Sequence, residues 1–117
     1  MEKSRYPVDE ISEKTILGVI LLKPKENLSV INELTEDDFY FNNGQNRYLF
    51  IALKALALNN LPIDMTSVYN FLNEKKTLNI VGGIEYISSL CDLVTTFNNL
   101  DFYLDTLKKT TMLRKFF

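Results

Sequence analysis

The chain of 117 residues has no histidine and a single cysteine. Without histidine there is no side chain that ordinarily titrates near neutral pH to serve as a general base, and no imidazole to complete a metal site. One cysteine excludes an internal disulfide, and its neighbours Ile87, Leu90 and Leu93 mark Cys91 as a small buried hydrophobe rather than a reactive thiol. That usage fits a reducing cytoplasm. Long hydrophobic runs are missing too: Met1 to Asp9 mix charges with Pro7, and no later stretch reaches bilayer length. Neither a secretion signal nor a membrane span is therefore expected. Excess positive charge is also lacking, since the net charge is −2 and the sequence pI about 5.1. A domain that grips nucleic acid through phosphates ordinarily shows a clustered basic excess. The one concentrated basic group, Lys108, Lys109, Arg114 and Lys115, fits the solvated face of a surface helix.

What is present is the composition of one globular domain, 46% hydrophobic and 24% charged. At this length folding buries roughly two-thirds of the unfolded surface, so a core needs no disulfide or metal. Leu, Ile and Val recur at helical spacing, and no run alternates with the period of a strand, which predicts an all-α fold of about six helices. A first helix starts at Asp9, a cap, carries Ile11, Ile16, Leu17, Ile20 and Leu21, and ends at Pro24. Gly18 inside it costs about 1 kcal/mol relative to alanine, which points to a second helix crossing closely there. A short helix from Pro24 to Leu34 places Leu28, Ile31 and Leu34 on one face. Gln45 to Asn59 forms the longest internal helix, the expected central one, with Leu49, Ala52, Leu53, Leu56 and Ala57 along its stripe. Asp64 or Thr66 caps a fourth helix carrying Val68, Phe71 and Leu72, and Ile84, Ile87 and Leu90 mark another after a tight turn at Gly82-Gly83.

The chemistry-bearing patterns have plain structural explanations. Thr35-Glu36-Asp37-Asp38 puts three carboxylates in a helical first turn, where the backbone dipole favours them. No histidine or phosphate cradle accompanies them for catalysis or Mg²⁺. Gly82-Gly83 lacks the GxxxxGK[ST] spacing and the preceding strand of a nucleotide loop. The last helix starts at Asn98 or Asn99 and continues to the terminus, with Leu100, Tyr103, Leu104, Leu107, Thr111 and Arg114 in one line. Its end, Arg114 to Phe117, carries two aromatics without a capping glycine, as a cut through a longer helix would. Tyr103, Leu107, Arg114 and Phe117 are the candidate partner-binding residues, with a place in the core as the competing explanation.

Six segments occur in an order and spacing similar to DnaB-type replicative DNA helicases. They are Pro7 to Leu21 (PVDEISEKTILGVIL), Leu34 to Tyr40 (LTEDDFY), Asn46 to Ala52 (NRYLFIA), Pro62 to Val68 (PIDMTSV), Val81 to Ile87 (VGGIEYI), and Asn99 to Tyr103 (NLDFY) with Arg114. The chain resembles the N-terminal domain of that family along nearly its whole length. Two departures stand out: Asn46 replaces a common histidine, and Ser12 replaces an alanine. The resemblance implies that the helices form a compact orthogonal bundle, a non-catalytic module in a hexameric ring, with residues 1–98 as a globular body. Residues 99–117 would begin the helical hairpin through which subunits pair, its second arm being absent. It also implies docking of primase and of a helicase loader, DNA contact only through the full-length helicase, and no cofactor in this chain. ATP and Mg²⁺ would belong to a separate motor domain.

Three other readings compete with it. A helical DNA-binding domain would show tight, salt-dependent affinity. A freestanding phage or plasmid protein of the same fold, binding a host primase or loader, would be followed by no Walker motif. A small-molecule enzyme would need a nucleophile–base pair or metal-ligand spacing, neither of which is visible.

Overall fold

The computed structural model describes residues 7–94 and 99–116, and every regular element among them is helical. Helix α1 (Glu10–Leu22) begins where the Asp9 carboxylate accepts from the Ser12 amide at 3.0 Å and from the Ser12 hydroxyl at 2.7 Å. The Ser12 amide is one of the donors left without an intrahelical partner at a helix start, and satisfying it with Asp9 sets where α1 begins. Pro24 then leads into a 3-10 turn (Lys25–Asn27) that runs directly into α2 (Leu28–Glu33). The single helix expected over this stretch is thus divided. A 3-10 turn advances about 120° per residue rather than the 100° of an α-helix, which rotates the apolar stripe. Leu28 consequently faces outward, and Val30 joins Ile31 and Leu34 inside.

A second 3-10 turn (Glu36–Asp38) is closed by a capping box, in which Asp38 accepts from the Thr35 amide at 2.9 Å. Helix α3 (Phe41–Leu58) follows, broken in its first turn by Asn42, Asn43 and Gly44, all left-handed with φ of 54°, 57° and 90°. Asparagine and glycine are the residues that tolerate this region, and continuous helix starts only at Gln45, where the sequence placed it. Helix α4 (Met65–Glu74) is capped by Asp64, whose carboxylate accepts from the Ser67 amide at 2.8 Å. A single turn, α5 (Leu78–Val81), precedes Gly82, whose φ of 110° lets the chain pass at once into α6 (Gly83–Leu93). Helix α7 (Leu100–Arg114) completes seven α-helices among the described residues, one more than expected because α5 is too short for its periodicity to be read.

Two helices share the centre. Helix α1 packs against α3, α6 and α7, while α3 packs against α1, α2, α4 and α5. The crossing of α1 and α6 depends on Gly18, because a Cβ there would lie 2.5 Å from the Leu90 carbonyl oxygen and 2.6 Å from a Val94 methyl. Around that crossing Ile16, Leu17, Ile20, Leu53, Ile87 and Leu90 form the core, extended by Phe39 stacked on Phe50 at 4.6 Å. Leu104 and Leu107 of α7 belong to the same core. The radius of gyration, 13.6 Å, matches the roughly 13.4 Å of a compact chain this long. Cys91, expected inside, is only half-buried; burial, assisted by Asp92, raises its thiol pKa. No helix among the described residues is long and apolar enough to cross a membrane.

Candidate interaction surface

Glu13 lies fully buried one turn into α1, on the same stripe as Ile16, Leu17 and Ile20. Its carboxylate accepts from the Tyr40 amide at 2.9 Å, the Phe41 amide at 3.1 Å and Asn46 Nδ2 at 3.0 Å. The Tyr86 hydroxyl of α6 donates to Asn46 Oδ1. Tyr40 provides no side-chain cap for α3, so the orphan amides at its start are satisfied from α1 instead. Burial raises the Glu13 pKa, while these hydrogen bonds and the Arg114 charge oppose the rise. Tyr86 is pushed up to about 12, by burial first and by the nearby Glu13 charge second. Sequence reasoning missed this network, although an acid on an apolar stripe was its visible signal.

The terminal helix carries two unlike faces. On the inner one, Leu104, Leu107, Thr111 and Arg114 are buried, as their common line predicts, with Tyr103 half-buried beside them. Thr111 donates to Asp38 Oδ1 at 2.7 Å. The Arg114 guanidinium donates to the Pro7 carbonyl at 2.9 Å and the Asp37 carbonyl at 2.6 Å, and lies 4.8 Å from the Tyr40 ring. Burial lowers the Arg114 pKa, Glu13 and Asp38 raise it, and neighbouring Arg47 lowers it again. Of the four candidate partner residues, Leu107 is therefore wholly inside this domain and Arg114 nearly so. Tyr103 keeps part of its ring outside, and Phe117 lies outside the described residues. The outer face instead exposes Phe102 (66%), Met112 (64%) and Leu113 (54%), and Phe116 (81%) is exposed just past the end of the helix. Sequence reasoning took Phe116 as part of a terminal pair and passed over the other three.

The basic cluster also divides. Arg114 is folded in, Lys108 pairs with Glu33 of α2, and Lys109 and Lys115 stay exposed. Among the acids of the second 3-10 turn, Glu36 and Asp37 face solvent and Asp38 is buried. No group of three or more histidine, cysteine or acidic residues among those described could hold a metal ion. Gly82 and Gly83 join two helices, with no strand before them, so the backbone offers no nucleotide cradle.

A sequence model described as the DnaB-like helicase N terminal domain matches residues 6–109. The chain belongs to that family. It is 31% identical over 103 residues to the replicative DNA helicase DnaB of Pasteurella multocida, covering 88% of this chain and 22% of the relative. Against the protein of that name from Geobacillus stearothermophilus the identity is 29% over 112 residues, covering 95% and 24%. The chain thus spans about a quarter or less of the length of these relatives. The crystal structure of the N-terminal domain of DnaB helicase from Mycobacterium tuberculosis superposes with a TM-score of 0.84 at 26% identity, over 95% of this chain and 76% of that one. The all-α DnaB-like fold expected from the sequence is the fold observed. Both departures from the family pattern are hydrogen-bonded in this DnaB-like domain: Ser12 in the α1 cap and Asn46 between Glu13 and Tyr86.

Proposed function

We propose that this DnaB-like domain is a non-catalytic collar element of a replicative DNA helicase, pairing with neighbouring subunits and docking primase or a helicase loader. ATP hydrolysis with Mg²⁺ and DNA translocation would belong to a motor domain outside this chain, and the setting would be the cytoplasm. The outer face of α7 carries the reading: Phe102, Met112 and Leu113 stay in water on a helix whose other face is already anchored, with Phe116 exposed just past its end. Isolated exposed hydrophobes are ordinary, but several along one helix face suit burial against a partner. Tyr103, at the border between the two faces, is the candidate partner residue best placed to join them.

Sedimentation equilibrium of the chain tests the pairing. The expected result is a monomer in weak exchange with a dimer, and the double variant Phe102→Glu, Met112→Glu should abolish the dimer without unfolding the domain. A tight hexamer at micromolar concentration would contradict the view that pairing draws on more than this helix. Calorimetric titration with the cognate primase, and separately with the loader, tests docking; silence from both would remove it.

A further inference from the structure

The Tyr40 ring lies near two arginines, neither of which pairs with a carboxylate among the described residues. The Arg114 guanidinium carbon lies 4.8 Å and that of Arg47 5.9 Å from the Tyr40 ring centroid. Arg47 donates through Nε alone, to the Glu36 and Phe39 carbonyls, both at 3.1 Å, so its two terminal nitrogens have no acceptor among the described residues. Arg114 spends both terminal nitrogens on the Pro7 and Asp37 carbonyls and, at 3.5 Å, the Thr111 hydroxyl. With Asp37, Tyr40, Thr111 and Lys115, the two arginines line a pocket of about 230 Å³. Three cations therefore converge on one concavity of a domain whose net charge is −2. Of the nearby acids, Asp37 sits at the rim and turns its carbonyl to Arg114. Asp38 is engaged by Thr35 and Thr111, and Glu13 by α3.

We infer that this pocket binds one carboxylate side chain, an Asp or Glu, presented by a protein partner. The free fork of Arg47 matches a carboxylate in two parallel hydrogen bonds, and Lys115 adds an exposed cation to the lining. Two like charges held close in a half-buried place repel, and an arriving anion relieves that repulsion. Nucleic acid is the poorer occupant. A phosphate backbone is gripped by cations arrayed along a track, whereas here they meet at a single point beside the exposed acids Glu36 and Asp37.

The inference deepens the docking reading and rests on it. Its test follows the arginine Nε–H signals by NMR while the chain is titrated with an acetylated, amidated peptide Gly-Ser-Glu-Ser-Gly. Parallel titrations use the same peptide with Gln for Glu, and a single-stranded oligothymidine. The Arg47 and Arg114 signals should shift saturably with the Glu peptide, with at least tenfold weaker binding of the Gln peptide. Lys115→Gln, an exposed change that leaves the fold intact, should weaken the Glu peptide about threefold, and Arg47→Lys more. Equal shifts from both peptides, no arginine shift, or tighter binding of the oligothymidine would overturn the assignment. Any of those results would leave the sedimentation measurement of pairing standing.

Discussion

At Glu13, α1 is held by directional bonds from the Tyr40 and Phe41 amides and the Asn46 amide group, whereas at Gly18, little more than one turn on, it is held by close contact with α6. The first attachment works because atoms are there to accept hydrogen; the second works because a side chain is missing. One depends on charge and orientation, the other on volume. Placing both in one helix fixes the start of α3 and the path of α6 relative to a common axis, and α7 then closes on the same helix through Leu104 and Leu107.

Removing the polar attachment should have the largest effect. Glu13→Ala leaves three donors at the α3 start without an acceptor, and unsatisfied buried donors cost about 1–3 kcal/mol each before water enters. A loss of roughly 4 kcal/mol is expected in urea unfolding, with hydrogen exchange accelerating first at Tyr40 and Phe41. If the loss stayed below about 1 kcal/mol, α3 would have to be capped by other means. Breaking the steric attachment comes next. Gly18→Ala forces a methyl against the Leu90 carbonyl, and overpacking of that kind costs about 3 kcal/mol. Exchange should then accelerate in α6 rather than α3.

The smallest effect separates the two attachments by pH. Burial raises the folded-state Glu13 pKa above the ordinary 4.5, so the folded chain holds that proton more tightly than the unfolded chain. The stability this contributes is complete below pH 4.5 and is lost as pH rises through the folded-state pKa. Glu13→Gln does not titrate at that position. The unfolding free energy of the parent minus that of the variant should therefore fall as pH rises above 4.5. The same difference taken against Gly18→Ala should stay flat, because both chains keep Glu13. A rise with pH in the Gln comparison would mean that the hydrogen bonds outweigh burial.

Much of the scaffold was legible where one residue type answers one local need. Asp9 and Asp64 cap orphan amides, Pro24 ends a helix, Gly18 admits a neighbour, and the spacing of Leu104, Leu107, Thr111 and Arg114 draws one face. Elements too short for periodicity escaped: the single turn α5 and the left-handed run from Asn42 to Gly44. The candidate surface was half visible. The sequence located it on the terminal helix, but its spacing alone could not say which side of α7 was already occupied.

Composition and periodicity by themselves determined that this chain is all-helical, because helix spacing, caps and breakers act over a few neighbouring residues, and the order of six short segments carried its resemblance to DnaB-type helicases. Only the tertiary structure decided that Glu13 reaches across to α3, that Arg114 turns inward beside Arg47 and Tyr40, and that Phe102 and Met112 stay in water. Those outcomes depend on which helices meet, and the residues concerned lie tens of positions apart in the chain, so local pattern carries no record of them.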